Sequence, residues 1–312
     1  MSKNRGVPLV YYLGLFSDCC VTIYCFCSGY ALQIINNKYI NSKEYYRNRL
    51  KSLLKFLINY WIVLIIFSML GILFDKSGTI PGSIKDFLLH LFLLSKNYNG
   101  AWWFVLTYIL LVILSRLIYK LINRFNPIII NILFLGIYLV AYIQRFKNVL
   151  SFDVTVLDWI VTQLALLGTS ILPFLWGMYF YKYKLFSKIK NFLYAHLKNW
   201  QIALISFFIV FIMIIGHGLF QSLIVAPITG TVTIILFNVV DKRKWICSIF
   251  DFFGSHSTNI WLTHMFFYSV LFKDFVFVAK YPILIFLLMM AITVCCSYGI
   301  NLIYKPIAKL VK

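Results

Sequence analysis

Residues Pro282–Tyr304 read PILIFLLMMAITVCCSYGINLIY and contain no charged side chain. A run of this length and composition is typical of a helix that crosses the ~30 Å hydrocarbon core of a bilayer. Similar runs recur along all 312 residues, which are 62% hydrophobic and 12% charged, whereas soluble domains carry about 25% charged residues. We therefore predict an all-α fold, a polytopic transmembrane helical bundle with about nine spans.

The predicted spans follow one another through short polar connections, which leave no stretch long enough for a soluble module. We therefore predict a single transmembrane domain over residues 1–312. The short apolar stretch Ser83–Leu94 predicts a re-entrant or interfacial segment. The predicted spans are Leu9–Gln33, Ser52–Phe74, Ala101–Ile122, Pro127–Gln144, Trp159–Tyr181, Gln201–Gly216, Gly218–Val240, His256–Ala279 and Pro282–Tyr304.

The formal net charge of +20 comes from Lys and Arg residues in the short connections. This placement is typical of the positive-inside rule, so we interpret it as a topology signal and exclude a nucleic-acid surface. Most of the 29 basic residues lie on one side if Asn36 is cytoplasmic, which predicts a cytoplasmic C-terminus and an external N-terminus. Lys3 and Arg5 would then lie outside, against the rule. We therefore expect that the chain lacks an upstream helix.

The seven cysteines form no Cys-x-x-Cys pair, and all but Cys247 lie in apolar runs. Cysteine in such a position usually acts as a small hydrophobic residue. Neither the cysteines nor the five histidines follow the spacing of a zinc or haem site. We therefore expect no metal.

The first span carries Asp18, Thr22, Cys25 and Gly29 at intervals that place them on one helix face. A carboxylate within a membrane span normally faces the protein interior or water, which makes Asp18 a candidate catalytic residue. The small side chains that follow it are equally typical of close helix packing.

The connection after the first span contains Arg47, Arg49 and Lys51. Arginine forks match phosphate oxygens, so this basic loop is a candidate binding site for a phosphate-rich ligand. A topology signal combined with contact to anionic lipid explains the same cluster.

Aromatic and polar side chains mark the starts of two later spans. Trp102 and Trp103 open the third span, where tryptophans form an interfacial belt or stack on a sugar ring. The eighth span places Ser257, Trp261 and His264 on one helix face. A histidine within the membrane is a candidate proton carrier, and it is also found as a hydrogen-bonded packing residue.

Taken in chain order, these motifs resemble those of the acyltransferase family 3 membrane proteins. The matching positions are Tyr24–Tyr30, Arg47–Lys51, Gly100–Phe104, and Ser257, Trp261, Leu262 and His264. The resemblance implies a bundle of about ten membrane helices. It also implies transfer of an acyl group, usually acetyl, from cytoplasmic acyl-CoA to a hydroxyl of a cell-surface polysaccharide or lipid-linked glycan, such as a capsule or cell-wall glycan. The family's first helix carries the His that acts as base, so the resemblance places that base upstream of Met1 and implies a truncated, inactive form.

The resemblance assigns the candidate residues to three roles. Acyl-CoA is the expected cofactor, with its phosphates held by Arg47, Arg49 and Lys51. The expected substrate-binding residues are Trp102, Trp103, Ser257 and Trp261, and the expected catalytic residues in this chain are His264, Asp18 and Ser28.

Two other classes of membrane protein share this composition. A polysaccharide polymerase or lipid-linked glycan flippase is also rich in aromatic spans, but a polymerase tends to have a larger outer loop than the one from Asp75 to Gly100. A non-catalytic membrane subunit is favoured if the upstream helix is absent in the cell. The sequence favours a membrane O-acyltransferase of the bacterial cytoplasmic membrane.

Overall fold

A computed structural model describes residues 9–39, 41–219 and 223–311 of the chain. It is 85% helical and contains no strand within those residues. Seven of the described helices are long and apolar enough to cross a membrane, which confirms the all-α polytopic bundle. The α-helices are α1 Leu9–Phe16, α2 Cys19–Lys38, α3 Ser42–Leu73, α4 Ile84–Leu91, α5 Trp103–Arg124, α6 Pro127–Lys147, α7 Thr155–Lys182, α8 Leu185–His196, α9 Asn199–Leu219, α10 Ala226–Val239, α11 Lys244–Met265, α12 Lys273–Phe277 and α13 Pro282–Leu310.

The chain divides into two compact units, with boundaries inside α3 and α5. Unit 1 combines the chain up to Tyr45 with Leu110–Asp241. Unit 2 combines Tyr46–Ile109 with the chain from Lys242 onward. Unit 1 therefore contains α1, α2 and α6 to α10, and unit 2 contains α4 and α11 to α13.

Two predicted spans fall on shorter elements. Gly218–Val240 corresponds to the 3-10 turn Leu223–Val225 and the 14-residue α10, and residues 220–222 lie outside the described part of the chain. The prediction His256–Ala279 is split, because α11 begins at Lys244 and a π-helical turn, Phe266–Val270, separates it from α12. The longer hydrogen-bonded ring of a π turn interrupts a regular helix, although the stretch stays apolar.

The first predicted span is also broken, because α1 ends at Phe16 and α2 begins at Cys19. The Ser17 hydroxyl donates to the carbonyl of Gly14 at 2.5 Å, a local side-chain bond that competes with helix continuation. The break leaves Asp18 at the start of α2, where its carboxylate interacts favourably with the helix dipole.

The face of α2 that carries the small residues packs against α7. A Cβ atom on Gly29 would lie 2.0 Å from the backbone oxygen of Phe174. A Cβ atom on Gly177 would lie 2.0 Å from the backbone oxygen of Phe26, so both positions need glycine for the helix backbones to approach this closely.

The same face of α2 also contacts α10, where a Cβ atom on Gly230 would lie 2.6 Å from Cγ2 of Thr22. Helices α7 and α10, both from later in the chain, cover Thr22, Cys25 and Gly29. Hydropathy along the sequence marks such a face but does not identify the helix that packs on it.

Helix α3 begins ten residues before the predicted start at Ser52. The Asn41 side chain accepts a hydrogen bond from the Lys43 backbone N–H at 2.8 Å, a capping interaction that starts a helix here. Arg47, Arg49 and Lys51 therefore lie on a helix and not in the predicted loop. The prediction failed because it followed apolar residues, whereas this helix starts with a polar stretch.

The stretch Ser83–Leu94 forms the eight-residue helix α4, which is too short to cross a bilayer. Ser83 and Asp86 form a reciprocal capping box at its start, and the Ser83 hydrogen bonds lower the pKa of Asp86 below its usual value. Tyr60 of α3 donates to the carbonyl of His90 at 2.7 Å, which fixes the other end of α4.

Candidate functional site

The basic cluster predicted for donor binding lies on the first turns of α3. Arg47 is exposed, whereas Arg49 and Lys51 are half-buried. Within the described residues, the Nε atom of Arg49 is buried and has no hydrogen-bond partner. A buried guanidinium N–H is costly to leave unpaired, and a phosphate oxygen is a well-matched acceptor. Arg49 is therefore suited to bind an anion, whereas Arg47 and Lys51, each two residues from it, lie on the other side of the helix.

A buried arginine, Arg116 of α5, holds the connection between α2 and α3. Its guanidinium donates to the backbone oxygens of Asn36 at 3.2 Å and Tyr39 at 3.0 Å. It also donates to the Asn36 side chain at 3.2 Å and to the Ser42 hydroxyl at 3.4 Å. Sequence reasoning counted Arg116 only as a topology signal. Its position inside an apolar run could have indicated that this charge has a specific partner within the protein.

Asp18 contacts a histidine for which the sequence suggested no role. Its Oδ2 atom lies 3.6 Å from Nε2 of His217 on α9, and His217 is 4% exposed. The Nδ1 atom of His217 is buried and has no hydrogen-bond partner among the described residues. The 3.6 Å separation is too long for a hydrogen bond, although the carboxylate lies beside the ring. His217 is therefore a candidate base through its Nδ1 atom.

Ser28 lies on the same helix as Asp18, ten residues later, which separates them by about 15 Å along the axis. Ser28 is half-buried and directly precedes Gly29, where α2 touches α7. The structure thus places these two predicted catalytic residues in unit 1 but does not bring them together. The third, His264, belongs to unit 2.

Trp102 ties the start of α5 to α11. Its Nε1 atom donates to the carbonyl of Leu262 at 3.0 Å, and Asn99 donates to the same oxygen at 2.9 Å. The Trp102 side chain is buried, whereas Trp103 is half-buried. Of the two tryptophans, Trp103 therefore has the ring that is more available to a ligand.

His264 is the second-last residue of α11 and is half-buried. Its Nδ1 atom lies 2.7 Å from the carbonyl of Trp261, so Nδ1 carries the proton in the neutral ring and Nε2 is left as the acceptor. The Trp261 ring lies parallel to that of Phe56, with centroids 6.5 Å apart. Ser257 donates to the carbonyl of Gly254 at 2.8 Å. These three predicted residues therefore share α11 within unit 2.

His90 has both ring nitrogens engaged. Nδ1 lies 2.7 Å from the carbonyl of Asp86, and Nε2 accepts the Tyr98 backbone N–H at 3.1 Å. Burial lowers the pKa of His90, which favours the neutral ring. The ring also stacks on that of Tyr98, with centroids 3.4 Å apart. His90 is thus occupied in holding α4 to the chain that follows it.

A buried polar cluster in unit 2 connects α3, α11 and α13. His256 Nδ1 lies 2.8 Å from the Ser297 hydroxyl, to which Asn259 also donates at 3.0 Å. Asn59 of α3 donates to the Asn259 side chain at 2.7 Å. Sequence reasoning missed this cluster, because its polar residues lie in three apolar runs that are far apart in the sequence. Such networks specify which helices pack together.

A polar pocket of about 330 Å³ lies in unit 1 at the junction of α7 and α8. Its lining includes Gln33 of α2, Lys182 at the end of α7 and Lys184, which directly precedes α8. Sequence reasoning missed this site too, since its residues come from distant parts of the chain and form no motif.

A comparison with protein families finds a match to a family model described as an acyltransferase domain, that of acyltransferase family 3. It matches residues 2–302, nearly the whole chain, and confirms the resemblance of the motifs. Searches among curated proteins and among solved structures find no match. Because the family model spans both units and nearly all of the sequence, the chain belongs to acyltransferase family 3.

Proposed function

We propose that this protein transfers an acyl group, usually acetyl, from cytoplasmic acyl-CoA to a hydroxyl of a cell-surface glycan at the bacterial cytoplasmic membrane. Family membership supports a membrane acyltransferase in general. The observation that carries the donor assignment is the buried, unpaired Nε of Arg49 on the first turns of α3, where Arg47 and Lys51 add positive charge from the other side of the helix. Phosphate groups of CoA match this need for an acceptor.

The proposed reaction needs a base that takes the proton of the acceptor hydroxyl. The oxygen then attacks the thioester carbonyl carbon, an ester C–O bond forms, and the C–S bond breaks. The proton passes from the base to the departing sulfur, which leaves as the CoA thiol. No other reactant is needed for this balance.

The resemblance implied an inactive form, whereas we propose an active enzyme whose base is one of two histidines of this chain. His264 emerges from the sequence motif, and its Nε2 is the acceptor nitrogen. His217 has a carboxylate partner, Asp18, and an unpaired Nδ1. The carboxylate of Asp18, 3.6 Å from Nε2, and the unpaired Nδ1 favour His217 as the base. His264 is the second candidate.

We expect the sugar ring to stack on aromatic side chains. Trp103 and Trp261 are half-buried and supply such rings, with Ser257 as a hydroxyl nearby on α11. Trp102 would act by positioning the start of α5 through its bond to Leu262. Ser28 of α2 would donate a hydrogen bond from its hydroxyl to the substrate.

The donor assignment is tested by replacing Arg47 and Arg49 with Gln and measuring transfer from labelled acetyl-CoA in membranes that contain the native glycan. Charge-assisted hydrogen bonds contribute about 1.5–3 kcal/mol each, so KM for acetyl-CoA should rise well over tenfold. Lys38→Gln with Lys43→Gln is the matched control, because both lysines are exposed and the same charge is removed nearby. An unchanged KM in the arginine variant would leave only topology and lipid contact for the cluster.

A further inference from the structure

The polar pocket of unit 1 combines features of an anion site with features of a site for a planar group. It measures about 330 Å³, and its wall includes Gln33, Tyr30, Tyr181, Lys184, Phe186 and Ser187. Ligand pockets span about 300–1,000 Å³, so this one suits a single nucleotide-sized group and not a whole CoA molecule.

The first turn of α8 forms one side of the pocket. Helix α8 has 12 residues, and Lys184 occupies its N-cap position with a φ of 53° and no side-chain capping bond. Phe186 and Ser187, in that first turn, line the pocket. Backbone N–H groups at a helix start point outward and carry partial positive charge, which favours a phosphate group.

Two lysines add positive charge at the same place. The Lys182 amino group donates to the carbonyl of Ile122, so its position is fixed and it contributes mainly charge. Lys184 is exposed and lies directly before α8. An anion at the start of α8 is therefore within reach of a lysine that has freedom to adjust.

The opposite side of the pocket needs a hydrogen-bond donor. Gln33 is 1% exposed, and within the described residues its Oε1 atom is buried without a hydrogen-bond partner. A buried amide oxygen is costly to leave unpaired, so an N–H group of a ligand fits here. Tyr30 contacts Tyr181 and Phe186 at centroid distances of 5.4 and 5.7 Å, which provides aromatic surface beside Gln33.

We propose that this pocket binds the adenosine 3′-phosphate end of the acyl-CoA donor. The phosphate lies at the start of α8 beside Lys184, and the adenine amino group donates to Oε1 of Gln33. This assignment rests on the proposed function, in which acyl-CoA is the donor. A phospholipid headgroup offers the same phosphate chemistry, but it lacks a planar base for the aromatic wall.

The test is calorimetric binding of CoA and of 3′-dephospho-CoA to the purified protein in lipid nanodiscs. The wild type should bind CoA about tenfold more tightly than 3′-dephospho-CoA, because only CoA offers a 3′-phosphate to Lys184. Lys184→Gln should remove most of this difference. Lys188→Gln, an exposed lysine one turn later on α8 and outside the pocket, should retain it.

Gln33→Met provides a second, independent readout. It should weaken CoA and dephospho-CoA by the same factor, since both carry adenine. The thermal midpoint should stay equal or rise, because the substitution removes a buried unpaired oxygen. A merely structural Gln33 would show a lower midpoint and unchanged affinity.

The outcomes separate the pocket from the function. CoA binding that is unchanged in Lys184→Gln and Gln33→Met would overturn the pocket assignment and leave the proposed function standing. A wild type that binds no CoA, but binds phosphatidylglycerol vesicles through Lys184, would overturn both the nucleotide assignment and the donor assignment. Lys184-dependent CoA binding without glycan acylation would support the pocket and contradict the proposed function.

Discussion

At the scale of single residues, the five histidines differ in what their Nδ1 atoms contact. In His90, His196 and His264, Nδ1 bonds to a carbonyl of the same helix at 2.7 to 2.9 Å, and in His256 it bonds to a serine hydroxyl. His217 differs, because its Nδ1 has no partner among the described residues while Asp18 lies at Nε2. The sequence predicts which histidines lie in apolar runs, but the partners of His217 and His256 come from helices far apart in the chain.

We expect His217→Gln to lower the rate of acyl transfer by about 10²–10⁴, the usual effect of removing a general base. Glutamine keeps a polar side chain of similar size but does not take up the proton. His264→Gln, at the second candidate, should lower the rate less, and the exposed His196→Gln should leave the rate unchanged. The measurement is steady-state transfer from labelled acetyl-CoA. Full activity in His217→Gln, combined with a large loss in His264→Gln, would reverse the two assignments.

Arg116 shows how one residue fixes a connection. Arg116→Gln would leave the carbonyl of Tyr39 and the side chain of Asn36 without their donors, at a cost of about 1–3 kcal/mol for each buried group. We expect a clearly lower thermal midpoint in detergent. Arg124→Gln, at the exposed end of the same helix, should have little effect. Equal midpoints for the two variants would show that the Arg116 contacts contribute nothing measurable.

At the scale of elements, the sequence predicts which stretches are apolar more reliably than where helices begin and end. The Ser17 bond to Gly14 breaks the first span, and the Asn41 cap starts α3 ten residues before its apolar part. Both features depend on one side-chain hydrogen bond, whereas hydropathy averages over many residues. The basic cluster consequently lies on a helix, which places Arg47 and Arg49, two residues apart, on nearly opposite sides of α3.

The contact between α2 and α7 gives a direct prediction at this scale. Gly29→Ala would place a methyl group 2.0 Å from the backbone oxygen of Phe174, so the helices must move apart. We expect a loss of stability of about 3 kcal/mol, at the upper end of overpacking costs. Gly136→Ala on α6 is the control, because its Cβ would meet nothing within 4 Å and alanine favours a helix. Equal stability of both variants in thermal unfolding would contradict the close approach.

At the scale of the whole molecule, composition and motif order predict the fold class and the family, and both are confirmed. The distribution of basic residues predicts which connections face the cytoplasm, and this topology stays a prediction. Reporter fusions after Lys190 and Lys312 should report the cytoplasm, and a fusion at Phe152 should report the exterior. An external signal at Lys190 would reject this topology. The Asp18–His217 pair and the pocket at α8 were beyond prediction, since each joins residues from helices that are distant in the sequence.

The central claim, acyl transfer from cytoplasmic acyl-CoA to a glycan, is tested most directly in inside-out membrane vesicles that contain this protein and its native glycan. Labelled acetyl-CoA is supplied to the exposed cytoplasmic face, and the label is measured as an alkali-labile ester on the extracted glycan. The account predicts label on the glycan with the wild type and almost none with His217→Gln. Glycan without label, in vesicles that hold the folded wild-type protein, would contradict it.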